Sequence, residues 1–433
     1  MISTWAILVG LALAPGGVRE QAAPGQEMNT CVDCHMQLPD PTLSDPVRQF
    51  QGDVHNQRGL SCVSCHGGDA TQSELDRAMD PRKHFVGVPG PKDTPMFCGK
   101  CHSDPVLMKK YNPAIRVDQV SEYATSTHGK LAAKGDSNVA RCSSCHGSHG
   151  IRQVKDPNSP VYPTKVADTC GRCHANAEYM RPYSISTDQL QKYRSSVHAG
   201  TLLSGHDLSA PTCNSCHGNH GAAPPGVTSV ANVCGTCHSR QSELFQKSPH
   251  GAAFDALGIG QCLACHSNHD VRHATDELLG IGQNAMCIKC HEKGDDGFEA
   301  ARVMRQYVDE LATQAAQART LLDRAARAGM EVSRAKFDLT GAQDKLIDAR
   351  VVVHSFSPDD VTKVTKSGLD IAMKAQVAGE EALQELQFRR KGLAASLVFI
   401  LAAIFSIHLK LRQIERREQA RHKKSDEEFF LQK

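Results

Sequence analysis

The chain has 433 residues and a formal net charge of +2, with 49 basic and 47 acidic side chains. That balance leaves no basic footprint for a nucleic acid, so no nucleic-acid partner is expected. Only 40% of residues are hydrophobic and 5% aromatic, with Trp5 the single tryptophan, so a chain of this length needs a further source of core.

In chain order, residues 1–27 read as a signal peptide and leader. Trp5 to Ala14 is an apolar run of signal-peptide length, although no Lys or Arg precedes it and Pro15 follows Ala12-Leu13-Ala14. Whether this segment is cleaved or kept is left open. Either outcome places the cysteine-bearing region outside the cytoplasm.

Residues 28–297 hold all 18 cysteines, in nine motifs of the form Cys-x-x-Cys-His. The cysteine pairs are Cys31 and Cys34, Cys62 and Cys65, Cys98 and Cys101, Cys142 and Cys145, Cys170 and Cys173, Cys213 and Cys216, Cys234 and Cys237, Cys262 and Cys265, and Cys287 and Cys290. The histidines directly after them are His35, His66, His102, His146, His174, His217, His238, His266 and His291. This spacing reads as haem c attachment. Two thiols add to the two vinyl groups on one porphyrin edge, and the adjacent histidine reaches the iron. Zinc sites also use Cys-x-x-Cys, but a zinc or disulfide scaffold has no reason to place histidine after every second cysteine. Nine covalently bound haem c groups are therefore expected. Their macrocycles supply the missing core, and the chain without haem should not fold.

The motifs form an internal repeat. Repeats two, three and four each begin Ser-x-His, at His128, His198 and His250. Each continues with a motif, a histidine three residues on (His149, His220 and His269) and a second motif. Repeat one has His55 and then His84 in place of the close second histidine, and the motif at Cys31 stands outside the pattern. A histidine three residues past a motif cannot reach round its own porphyrin. His149, His220 and His269 are thus expected to ligate neighbouring haems and to hold haems in close contact. Setting aside His206, His273, His408 and His422, the distal candidates are His55, His84, His128, His149, His198, His220, His250, His269 and His354. Their number matches the motifs, so every iron is expected to be bis-histidine. His354 and the motif at Cys31 are the two members without a repeat partner, and the count pairs them. Gly- and Pro-rich stretches between motifs predict short helices joined by turns.

After His291 the pattern changes. From Phe298 to Phe356 there is no proline, and a heptad seam runs from Met304 through Leu311, Ala318, Leu339 and Leu346, with Gln314 its one polar member. Ser357-Pro358-Asp359-Asp360 opens another helix with a cap, a first-turn proline and acidic residues. Residues 298–391 thus read as a helical hairpin stalk. A straight first helix would overshoot the second, which predicts a break near Gly329. Residues 392–410 are the expected transmembrane helix, since Leu393 to Leu409 is apolar but for two serines and His408. Residues 411–433 form a basic tail that the charge asymmetry places in the cytoplasm. The fold class is mainly α with many loops: an array of short haem-bearing helices, a long helical hairpin and a C-terminal membrane helix.

The Ser-x-His elements, the Cys-x-x-Cys-His-Gly-x-His-Gly segments at Cys142 and Cys213, and Arg350 to Phe356 in the tail carry a resemblance. The chain resembles class III-like multihaem cytochromes c of bacterial respiratory chains over about residues 28–410. Around Gly67-Gly68-Asp69 it departs from that pattern. The resemblance implies bis-histidine haems and periplasmic electron transfer. The expectation is a carrier, not an enzyme, anchored by one span on the periplasmic side of the bacterial inner membrane. Its partners would be the lipid bilayer, a quinol-oxidising membrane protein or other respiratory complex subunit, and a periplasmic cytochrome or terminal reductase. With two propionates per haem the net charge would fall to roughly −16, favouring a basic partner face. The alternative is a multihaem reductase of nitrite, hydroxylamine or a sulfur oxyanion, which needs one haem with an open site.

Overall fold

Most attachment motifs lie on a short helix or its last turn, and the sequence of the motif explains why. In Cys62–His66, Cys142–His146 and Cys213–His217 the residue before the second cysteine is serine. Its hydroxyl accepts from the backbone N–H ahead of the helix: Ser64 from Ser61 at 3.0 Å, Ser144 from Arg141 at 3.1 Å and Ser215 from Thr212 at 3.1 Å. That bond fixes where the helix starts. Glycine after the histidine stops it, since Gly67, Gly147 and Gly218 have φ of 68°, 83° and 79°. Gly67 has a second constraint, because a Cβ there would lie 2.2 Å from the His84 carbonyl oxygen. Two motifs depart from this: that at Cys234 begins in the last turn of Val230–Gly235 and runs past its end, and that at Cys287 starts as a 3-10 turn, Cys287–Lys289.

The computed structural model describes residues 29–223 and 230–431, so the expected signal peptide and leader lie outside the described residues. No strand occurs among the described residues. The chain divides into two compact units. The first is the chain up to Arg194 with His198–Pro224; the second is Ser195–Val197 with the chain from Pro225. The first unit has a thin apolar core, with Met108, Val166, Ala167, Met180, Tyr193, Ala199 and Leu202 as its buried apolar side chains among the described residues. Macrocycles would fill that deficit.

The second unit contains the expected break at Gly329 and antiparallel pair, and packs the helix before the break against them as a third member. Three long helices are present, Asp296–Arg327, Ser333–Val352 and Pro358–Leu431. The first ends at Ala328 and Gly329, the latter with φ 82°. A heptad seam is satisfied equally by one partner helix or two, so the sequence pattern could not separate hairpin from bundle. The first and third helices run parallel, with Gly368 against Leu311 and Gly379 against Leu321. The second runs antiparallel to the third, with Gly341 against Ile371 and Lys345 against Gly368. Leu311, Ala315, Ala318, Leu322, Leu339, Ala342, Ala372 and Ala375 form the core. Gln314, the polar member of the seam, donates from Nε2 to Gln376 Oε1 at 2.7 Å. At the upper end Met304, Val308, Ala349 and Val361 make a second cluster. There Arg350 grips both carboxylate oxygens of Asp276 at 2.8 Å.

Beyond the bundle the third helix continues through the apolar run. Leu393, Leu397, Phe399, Ile404 and Phe405 are each more than half exposed, and no part of the most apolar window is buried. A core helix would be covered by neighbours. An apolar helix exposed on every side fits a membrane anchor. Within it, Ser406 Oγ donates to the Ala402 carbonyl at 2.8 Å, so its hydroxyl is satisfied without water.

Candidate functional site: paired histidines

Histidine rings face one another in pairs. In the first unit the ring centres of His66 and His149 are 6.1 Å apart with planes at 11°, and those of His146 and His220 6.2 Å apart at 11°. His55 and His102 are separated by 6.0 Å at 84°, and His128 and His174 by 6.1 Å at 57°. In the second unit His250 and His291 are 5.9 Å apart at 80°, and His266 and His354 6.0 Å apart at 22°. An iron between two imidazoles needs about 2 Å for each metal–nitrogen bond and about 1 Å from each nitrogen to its ring centre, so about 6 Å in all. All six separations fit. Each pair joins one motif histidine to one histidine outside the motifs.

A rule runs through the pairs. The Ser-x-His histidine faces the second motif of its own repeat, as His128 faces His174 and His250 faces His291. His55, with Asp53 in the place of serine, faces His102 in the same way. The close second histidine faces the first motif of the preceding repeat, as His149 faces His66 and His220 faces His146. His354 does the same for the last repeat and faces His266. This corrects the pairing of His354 with the motif at Cys31. The second long helix climbs back to the level of the last repeat, where no fifth repeat exists to supply a close second histidine.

His84 also departs from expectation. It caps the turn Pro81–Lys83 with φ 61° and is exposed, while His149 stands opposite His66. His35 shares its Nδ1 with the Leu43 carbonyl at 3.4 Å, and no histidine ring faces it at such a separation among the described residues. His198 lies on the short helix Val197–Ala199, and His269 sits in the turn after the Cys262 motif with φ 46°.

Local structure holds the rings in place. Ser126 Oγ accepts from the Gly129 N–H at 2.8 Å and donates to the Tyr123 carbonyl at 2.6 Å, starting the helix that carries His128. A Cβ on Gly129 would come within 1.9 Å of that same carbonyl oxygen, so the residue after His128 must be small. A backbone clip ties the x-His element of repeats one, two and three to the repeat that follows. The middle residue donates to the carbonyl two residues past the close histidine: Val54 to Ile151 at 2.8 Å, Thr127 to Ala222 at 3.0 Å and Val197 to Val271 at 2.8 Å.

The electrostatics suit ligation. Burial pushes His102, His128, His146, His149, His174, His220, His250, His266 and His354 below the usual imidazole range. These rings are thereby held neutral, the form that binds a metal. Hydrogen bonds from Nδ1–H to backbone carbonyls point Nε2 at the site in His66, to Val86 at 3.0 Å, in His354, to Val351 at 2.9 Å, and in His217, to Ala223 at 3.2 Å.

Cysteines of successive motifs lie near one another in an alternating order. Contact with Cys142 pushes the Cys98 thiol up, while Cys142 is lowered to about 7. Cys170 with Cys213, and Cys234 with Cys262, behave in the same way. After burial, Cys62 is the next cause raising Cys31, Cys101 the next raising Cys65, and Cys287 the next raising Cys265. Haem-bound sulfurs are thioethers and do not titrate, so what these shifts record is proximity. First cysteines meet first cysteines, second cysteines meet the following motif, and the order follows the sequence. Among the described residues no disulfide forms and no cluster of three or more His, Cys, Asp or Glu could hold a lone metal ion.

A family model for the doubled CXXCH motif matches residues 255–296, which contain the motifs at Cys262 and Cys287. Among curated proteins, the C-type polyheme cytochrome OmcC of Geobacter sulfurreducens is 24% identical over 270 residues, covering 62% of this chain and 28% of the relative. The C-type polyheme cytochrome OmcB of the same organism is 24% identical over 203 residues, covering 38% of this chain and 27% of the relative. The chain therefore spans less than a third of the length of these relatives. No solved structure matches.

Proposed function

We propose that this multihaem c-type cytochrome is a membrane-anchored electron carrier with nine haems. It would pass electrons between the membrane quinol pool, or a quinol-oxidising complex, and periplasmic redox partners. One observation carries the reading: histidines from different parts of the sequence meet in pairs about 6 Å apart, so both axial positions of an iron between them are filled. Such an iron offers a substrate no free position and can only exchange electrons. Histidine on both faces also favours lower potentials than Met/His ligation.

The alternating cysteine contacts support a path that follows the sequence within each unit, from the motif at Cys31 to that at Cys213, and from Cys234 to Cys287. The protein's part is to neutralise, orient and shield the axial imidazoles. The apolar run at 393–409 and the basic residues after it support a single span with the C-terminus in the cytoplasm. The test is quinol-driven reduction in membrane vesicles. Quinol should reduce the haems of the full-length protein when the native quinol-oxidising complexes are present, and added periplasmic fraction should reoxidise them. Failure of both steps in haem-loaded vesicles would contradict the carrier reading.

A further inference from the structure

The repeats place serine two residues ahead of His128, His198 and His250, at Ser126, Ser196 and Ser248. Repeat one has Asp53 there instead. The Ser126 and Ser248 hydroxyls donate to carbonyls of the preceding turn, at Tyr123 and Phe245, both at 2.6 Å. A carboxylate cannot donate, and Asp53 does something else. Its side chain is 1% exposed. Oδ1 accepts from the His55 backbone N–H at 2.8 Å and from His55 Nδ1 at 2.9 Å, while Oδ2 accepts from the Ile151 N–H at 2.7 Å.

Other paired rings have different surroundings at Nδ1. His66 and His354 use backbone carbonyls. His250 Nδ1 is buried with no hydrogen-bond partner. Asp295 lies 3.3 Å from His291 Nδ1 but is 43% exposed, and Glu122 is 3.7 Å from His220 Nδ1. A carboxylate hydrogen-bonded to Nδ1–H makes the imidazole a stronger donor through Nε2. A buried negative charge near a haem also favours the ferric over the ferrous state, since the ferric state carries one more positive charge.

We propose that Asp53 is a positioning residue that acts through its hydrogen bond to His55 and lowers the reduction potential of the haem attached at Cys98 and Cys101. The proposal rests on the His55–His102 ligation proposed above. It makes this haem a low-potential step beside haems whose ligands meet carbonyls or exposed carboxylates, so it is populated by electrons last.

The experiment is a redox titration of the full-length, haem-loaded protein followed by low-temperature EPR. The near-perpendicular pairs, His55 with His102 and His250 with His291, give large-g low-spin signals distinct from those of parallel pairs. If no large-g signal is present in the unmodified protein, the ligation itself fails. With the signals present, Asp53→Ser, which restores the cap of the other repeats, should raise the midpoint of one of them. Asp53→Asn should do the same. A tenfold change in that equilibrium reads as 59 mV. The reciprocal variant Ser126→Asp places a carboxylate two residues before His128 and should lower the midpoint of the haem attached at Cys170. It also keeps the test decisive if the Asp53 variants fail to fold. Unchanged midpoints in the haem-loaded variants overturn the proposal.

Discussion

An imidazole serves as an axial ligand only when the backbone delivers it to the iron and keeps it neutral, and single residues decide both. His354 is the clearest case, since its only sequence context is the end of a helix. His354→Ala should remove one low-spin haem from the EPR spectrum of the oxidised protein, that attached at Cys262, and leave the haem at Cys31 unchanged. Loss at Cys31 instead would restore the pairing that residue counting suggests. Gly129→Val drives a side chain into the Tyr123 carbonyl, a strain on the order of 1–3 kcal/mol. The helix bearing His128 should shift, and the low-spin signal of the haem at Cys170 should weaken or broaden. Cysteine spacing is chemistry written directly into sequence, and the doubled-motif match at 255–296 meets that reading at Cys262 and Cys287. The pairing was legible only in part. That His149 and His220 serve other haems follows from a three-residue reach, but which haem depends on how repeats stack. Asp53 was missed, although aligning repeat one with the Ser-x-His element of the others would have exposed it.

At the scale of elements, the bundle beside the last haems is built from small residues that let helices approach. Gly329, with φ 82°, closes the first long helix. Gly329→Ala should destabilise the second unit by roughly 1 kcal/mol, because alanine in the left-handed region is strained. A lowered thermal midpoint of the haem-loaded protein, with haem content unchanged, is the expected result. The break was legible because a straight helix of that length would have driven its own start to bilayer depth. The third packing partner was not legible, because alanine and glycine on a seam do not say how many helices share it. The turn after the second helix touches two facing histidine pairs at once. Phe356 packs its ring 3.9 Å from that of His250, while His354 faces His266.

For the whole molecule, the described first unit has too little apolar core to hold itself together, and haem must complete it. Chain produced without haem attachment should therefore be unfolded by circular dichroism in the region of the motifs. The third long helix runs without interruption from Pro358 into the apolar segment, and the distance from Pro358 to Leu393 is about 52 Å. Truncation after Arg389 should release haem-loaded protein from membranes, assayed by haem absorbance in the washed supernatant. The central claim is that histidine pairs saturate the irons. Spin quantitation by low-temperature EPR of the oxidised full-length protein, set against total haem, tests it most directly. The six facing pairs predict at least six low-spin bis-histidine haems per chain, unaltered by cyanide. Fewer than six, or cyanide binding at more than three irons, would contradict it.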